Sequence, residues 1–442
     1  MAKPPSKPPT KSQTRPQTRP QTRPTSQRPV RRSGRPTTQP PAAGSAMKAS
    51  TRSTLIGAMF LMATSAIGPG FITQTTTFTV QLGAAFAFAI AASILVDIAL
   101  QLNVWRVIGV SGRRAQELGN LVAPGLGWVM AALLFAGGLV FNVGNVSGSG
   151  LGTDAMLGLD PKLGGALSAL VAIGIFVSKR AGLAMDRVVF VLGALMILLT
   201  TYIAITSGPP VGEALKNVVM PERVEFLAIT TLIGGTIGGY IVYAGAHRLL
   251  DSGITGPEHI RDITRGSVTG ILITGVMRIV LFLAILGVVA GGATLDPKSP
   301  AASAFQHAAG EVGLRVFGIV LWAAAITSVI GASYTTVSFI TSRTKTSDRV
   351  RTALVVGFII VTTVIYLSVG TAPTTLLVFA GAFNGLLLPV GIGVLLWVAW
   401  RRKDLLNGYK YPAWLLGIGA AAWLLTIYLA VRSVRPVIDL FS

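Results

Sequence analysis

The 442 residues contain no cysteine, which excludes disulfides and thiolate metal sites. Charge is scarce as well: Asp, Glu, Lys and Arg make up 12%, about half the roughly 25% of an ordinary soluble chain. The three histidines, His247, His259 and His307, lie near span ends or in loops, so a histidine-built metal cluster is not expected. No GxxxxGK[ST] loop is present, and ATP-driven pumping therefore finds no support. The N-terminal stretch lacks the apolar h-region of a signal peptide.

Apolar residues dominate, at 51% with a mean hydropathy of +0.66. They gather in runs near 20 residues, the length that crosses a bilayer as helix. A polytopic, all-α integral membrane protein follows. The net charge of +21 is uneven: residues 1–52 carry twelve Lys or Arg and no acid, leaving 25 basic and 16 acidic side chains for the rest. This tail, with its TRPQTRPQTRP repeat at 14–24, is too poor in apolar surface to fold and reads as a disordered cytoplasmic extension over 1–51. No nucleic-acid partner is expected; the bilayer is the main one.

Eleven spans are predicted, near 53–82, 84–107, 124–150, 163–178, 187–207, 226–250, 268–292, 315–341, 352–369, 374–398 and 413–432. The turns on one side collect Arg106 with Arg113 and Arg114, Lys179-Arg180, His247-Arg248 through Arg265, Arg343 through Arg351 and Arg401-Arg402-Lys403. The other side collects Asp160-Pro161-Lys162, Pro209 to Glu225 and Asp296-Pro297-Lys298. Basic loops stay cytoplasmic, which places the N-terminus inside and the C-terminus outside the cytoplasmic membrane. Trp105, Trp128, Trp397, Trp400 and Trp414 fall at predicted cytoplasmic-side boundaries, as an aromatic belt would.

The first span is interrupted by Gly68-Pro69-Gly70 and the sixth, at the matching place, by Gly238-Gly239. Non-helical backbone survives at membrane depth only inside protein or beside water. Paired interruptions in two halves point to a transporter's midplane site. Five spans per half give the halves opposite orientations, hence a 5+5 inverted repeat (52–207 and 226–398) with an added helix at 413–432. Glycines at 68, 70, 238 and 239 predict a cavity with room for something larger than an ion, next to Pro69, Phe71 and Tyr240.

Two charges lie deep in spans 2 and 7, Asp97 and Arg278. One reading is an ion pair that holds the bundle. The other makes Arg278 the counter-ion of a substrate carboxylate, with Asp97 releasing it or carrying a proton. In span 3, Asn142, Asn145 and Ser149 share a helical face, either for interhelical hydrogen bonds or for the solute path; Gly144, Gly148 and Gly152 read as a packing stripe. Asn384, ahead of Pro389, is a path candidate or a satisfier of the backbone freed by that proline. His247-Arg248 with Asp251 form either an inner gate or a solvated helix end.

Several segments resemble one family. Leu55-Ile56-Gly57 through Phe60 with Ile67-Gly68-Pro69-Gly70-Phe71, and Gly234 to Tyr240 with Tyr243, resemble the first and sixth spans of the NRAMP (natural resistance-associated macrophage protein) divalent-metal transporters. The run Asn142 to Gly152 and Thr327-Ser328-Val329-Ile330-Gly331 align in type with its third and eighth spans. The resemblance covers roughly 52–400 and implies a LeuT-type fold with discontinuous helices 1 and 6, alternating access and a divalent metal cargo. The departures fall on the metal ligands. The family's Asp-Pro-Gly-Asn stands here with Gly68 and Phe71 in place of its Asp and Asn, and its Met-Pro-His is Gly238-Gly239-Tyr240. Two third-span acids are Asn142 and Asn145. The expectation is an NRAMP-like secondary transporter, neither an enzyme nor cofactor-dependent. Family resemblance assigns it a metal ion, and residue chemistry a small organic, anionic solute coupled to H+ or Na+. A non-transporting membrane sensor or scaffold is the alternative.

Overall fold

The computed structural model describes residues 66–341 and 346–441, with 179–190 as backbone alone. The basic tail and the predicted upstream half of the first span lie outside the described residues. Within them the chain is entirely helical: α1 (Pro69–Leu82), α2 (Phe86–Ser111), α3 (Ala115–Val122), α4 (Leu126–Leu157), α5 (Pro161–Val177), α6 (Lys179–Thr206) and α7 (Val211–Val219) come first. Then follow α8 (Phe226–Ile237), α9 (Ile241–Asp251), α10 (Ile260–Ala290), α11 (Pro300–Ile340), α12 (Asp348–Ser368), α13 (Pro373–Arg401) and α14 (Ala413–Ile438).

The starts of these helices are written locally. Proline occupies the first turn of α1, α5, α11 and α13, where its missing N–H has no intrahelical partner to lose. Asp160 caps α5 by accepting from Lys162 N and Leu163 N at 2.9 and 3.1 Å, and Ser347 caps α12. Left-handed glycines, Gly112 and Gly158, close α2 and α4, as the C′ position favours.

Each of the eleven predicted segments overlaps helix. By length and apolarity, eight helical stretches qualify as membrane spans among the described residues, and nine if α7, bent by 102° from the second half of α6, is joined to it. The 17 residues of α5 fall short of that test; at about 1.5 Å per residue they reach about 26 Å. The predicted eighth span began at 315, but α11 starts fifteen residues earlier. It is kinked at Ala309 and Gly310, the latter at φ 63°, so a leading helix folds over before the spanning part begins.

The most extensive packing joins α4 with α11, α8 with α13, α4 with α13, α4 with α5, and α2 with α10. Spans 2 and 7 are thus neighbours, as expected. Small residues permit these approaches: a Cβ on Gly152 would sit 2.6 Å from the Trp322 backbone nitrogen, and one on Gly148 would overlap Pro69. The glycine stripe of span 3 is therefore a packing face. Large apolar side chains such as Leu95 and Ile205 are 70% and 75% exposed, a surface that lipid covers and water would not. Trp128, Trp397, Trp400 and Trp414 are exposed among them. Trp105 is not: it is buried, and its Nε1 donates to Val242 O at 3.0 Å. A position near a helix end predicted a belt residue, but the indole faces inward against α9.

Candidate functional site

The site is assembled where α1 begins and where α8 gives way to α9. Gly68 is extended (φ −107°, ψ −170°) and Pro69 starts the helix, leaving the N–H groups of Gly70 and Phe71 without intrahelical acceptors. All four residues from Gly68 to Phe71 are buried. A Cβ at Gly68 would stand 2.8 Å from Ser328 Oγ on α11 and 3.8 Å from Asn145 Oδ1 on α4. Both Asn145 side-chain atoms and Ser328 Oγ are buried with no hydrogen-bond partner. Polar atoms left this way are costly and call for an explanation.

At the second interruption, α8 ends at Ile237, Gly238 is extended and Gly239 takes φ 54°. That left-handed turn is open to glycine at little cost. Asn384 of α13 presses on it, its Oδ1 occupying the space a Cβ on Gly239 would need. The amide of Asn384 donates to Gly137 O and Ala380 O at 3.1 and 2.8 Å. These are not the carbonyl that Pro389 frees, so the backbone-rescue reading of Asn384 is corrected: it ties α13 to α4 and shapes the turn. Tyr240 is fully buried, with Oη unpartnered and its ring edge-on to Phe141 at 5.6 Å.

The two deep charges are buried at 1% and 2% exposure, yet no direct ion pair joins them. Arg278 Nη1 donates to Thr236 Oγ1 at 2.9 Å, and its guanidinium lies 4.4 Å from the centre of the Phe71 ring. Its Nε and Nη2, and Asp97 Oδ1, have no partner. Asp97 approaches the same Thr236. The ion-pair reading is corrected accordingly: the two groups share Thr236, two residues before Gly238, and do not bond each other directly.

Asn142 and Asn145 part company. Asn142 donates to Ser333 and Thr362 hydroxyls at 3.1 and 2.9 Å and so binds α4 to α11 and α12, away from the interruptions. Asn145 faces Gly68. Three residues not among the site candidates read from the sequence belong here: Thr236 and Ser328, which lie in segments that resemble the family, and Gln74. Gln74 is fully buried, donates to Leu377 O at 2.9 Å, and fits against Gly235 and Gly381. The polar run Gln74-Thr75-Thr76-Thr77 inside an apolar span was the available signal.

The void at Gly239, lined also by Met130, Leu134, Tyr243, Leu387 and Gly391, measures about 10 Å³, room for about one water and not the roomy cavity that the glycines predict. Glycine removed bulk there, and Asn384 at Gly239 and Gln74 at Gly70 filled the space. A larger cavity of about 290 Å³ opens beyond the C-terminal end of α1, between Thr77, Phe78, Gln81, Leu295, Thr375 and Leu440. At the opposite end polar and aromatic contacts join the described helices. Arg114 bonds Asp251 at 3.3 Å and Ser338 O at 3.0 Å, and His247 is buried against Tyr243 and Phe339. His247 is therefore no part of a solvated helix end. Among the described residues no group of three or more His, Asp or Glu side chains is placed to hold a metal.

Known proteins share both sequence and architecture with this chain. It is 52% identical over 387 residues to an uncharacterised membrane protein, YcsG, of Bacillus subtilis, covering 88% of this chain and 95% of that one. An uncharacterised membrane protein of Haemophilus influenzae is 48% identical over 391 residues, covering 88% and 97%. Among solved structures, a manganese transporter of Eremococcus coleocola superposes with a TM-score of 0.70 at 18% identity, covering 92% and 90% of the two chains. MhsT in complex with L-phenylalanine superposes at 0.61 and 16%, covering 85% and 97%. The fold is therefore the all-α LeuT type. The family model for natural resistance-associated macrophage protein-like proteins (Nramp) matches residues 59–435, so the chain belongs to the Nramp family of membrane transport proteins.

Proposed function

We propose that this chain is a secondary transporter, not an enzyme, that works by alternating access around Gly68 and Gly238-Gly239, and that its cargo is a small organic anion held by Arg278. Nramp membership supports transport and, at the level of the family, a metal ion as cargo. What favours an anion is one observation: a buried arginine with Nε and Nη2 unpartnered, at the start of α1 and beside the interruption after α8. A buried guanidinium whose donors lack acceptors is expensive, and its planar fork suits a carboxylate bidentately. The N–H groups at the start of α1 add positive partial charge on the same side. MhsT, which holds L-phenylalanine, shows that this fold accommodates an organic solute.

A metal cargo is the second reading, favoured by the family and by the manganese transporters that share the fold. Here it would meet only neutral oxygens, from Asn145, Ser328, Tyr240 and freed carbonyls, without a carboxylate for the divalent charge. The topology proposed places the N-terminus in the cytoplasm, so that the 290 Å³ cavity faces out and the Arg114 contacts close the inside. The paired packing of α2 with α10 and of α4 with α11 supports a 5+5 repeat over 52–207 and 226–398.

The test is a thermal-shift and isothermal-titration screen of the full chain against small mono- and dicarboxylates and against Mn2+. A carboxylate at a hundred times its Kd stabilises by about 2.7 kcal/mol, and Arg278→Met should remove that shift. Stabilisation by Mn2+ that survives Arg278→Met, with no response to any carboxylate, overturns the anion in favour of the metal.

A further inference from the structure

We propose that Asp97 is the proton-binding site that couples transport, taking up one H+ for each carboxylate seated on Arg278. The inference rests on the anionic-cargo reading above. It starts from a count of buried charge. Among the described residues the buried charged or titratable-basic side chains are Asp97, Arg106, His247 and Arg278. Arg106 lies nine residues along α2 from Asp97, about 13 Å away, and is held by Thr264 at 2.6 Å and Tyr409 at 3.3 Å. His247 faces Tyr243 and Phe339 near the Arg114 end. Of the helices packed on α2 (α1, α7, α8, α9, α10, α13 and α14), only α10 presents a charge to Asp97, through Arg278, and only α8 a hydroxyl, through Thr236.

With Asp97 ionised, the empty site sums to zero, one carboxylate against one guanidinium. A bound carboxylate would leave it at minus one in a low-dielectric interior, where an uncompensated charge is strongly disfavoured. A proton on Asp97 restores neutrality without moving any other group. The atom that receives it is available, since Asp97 Oδ1 has no hydrogen-bond partner.

Thr236 gives the exchange its geometry. Its Oγ1 donates to Leu232 O at 2.8 Å and accepts from Arg278 Nη1 at 2.9 Å. Once Arg278 turns to the cargo, that acceptor position is released, and a protonated Asp97 can donate into it. Two states result: Arg278 on Thr236 with Asp97 ionised, or Arg278 on the cargo with Asp97 protonated on Thr236. The switch sits two residues ahead of Gly238, on the last turn of α8. The proton enters with the carboxylate from one side and leaves with it on the other, so transport is electroneutral.

The experiment uses the full chain in proteoliposomes with an internal pH dye and a carboxylate that stabilises the protein in the thermal-shift screen. Expected for the wild type is uptake driven by an acid-outside gradient, one proton per carboxylate, insensitive to a clamped membrane potential. Asp97→Asn should lower gradient-driven uptake about tenfold or more and abolish lumenal acidification, while counterflow exchange stays measurable and loses its pH dependence. Asp97→Glu, which keeps a carboxyl, should retain proton flux, so a folding defect of the amide variant cannot pass for support. Carboxylate-coupled proton flux in Asp97→Asn, or charge movement in the wild type, overturns the inference. A carboxylate that binds but enters without protons overturns this inference alone. The absence of any carboxylate shift in the wild type overturns the cargo reading and this inference together.

Discussion

The turn at Gly239 offers the sharpest test of the packing. Gly239→Ala places a Cβ on a residue at φ 54°, where Asn384 Oδ1 already stands. The left-handed backbone costs a non-glycine residue about 1–2 kcal/mol. Clearing the overlap moves Asn384 off Gly137 O and Ala380 O, two buried bonds of about 0.5–1.5 kcal/mol each. The expected total is about 2–5 kcal/mol. Asn384→Ala removes the same two bonds, so the double variant should cost no more than Gly239→Ala alone and not the sum of the two single changes. The coupling should fall at about 0.5–3 kcal/mol in the favourable direction. Because detergent-solubilised membrane proteins often unfold irreversibly, the readout is the order of apparent melting temperatures at one scan rate. That order is wild type, then Asn384→Ala, with Gly239→Ala and the double variant together last. A Gly239→Ala protein that melts with the wild type, or a double variant that falls below Gly239→Ala by the full cost of Asn384→Ala, would refute the steric argument.

Other outcomes follow from the same geometry. Arg278→Lys keeps the charge but loses the planar fork and its place over Phe71, so carboxylate affinity measured by titration should fall about tenfold or more. Arg114→Ala removes contacts to Asp251 and Ser338. At about 1 kcal/mol for this half-exposed set, it should raise thiol labelling of a cysteine placed at Tyr243 about fivefold from the Arg114 side; the cysteine-free background makes that label unambiguous. Gly148→Val drives bulk into Pro69 and should cost about 1–3 kcal/mol, read as a lower yield of monodisperse protein.

Much of the helix pattern was legible because apolar runs and Pro or Gly punctuation are local properties of the chain. The second interruption was legible for the same reason, in Gly238-Gly239. What could not be read was which neighbour each face meets. Asn142 and Asn145 lie three apart on one helical stripe, yet one braces α11 and α12 and the other faces Gly68. Trp105 sits near a helix end, where an exposed indole was expected, and faces α9 instead. The glycines misled most: they admit a ligand or a neighbour equally well, and the neighbours, Gln74 and Asn384, are far away in the sequence.

Gln74 also says something about mechanics. Its amide holds α1 to the α13 backbone at Leu377, and its flanks are wedged between Gly235 of α8 and Gly381 of α13. With no slack on either side, α1 cannot tilt by itself without tearing a buried bond. In the alternating access proposed above, α1 with α8 and α13 would form a keyed three-helix block that swings as one piece. A crosslink between α1 and α13 should consequently leave the working cycle running, whereas one that pins the block to α4 should stall it.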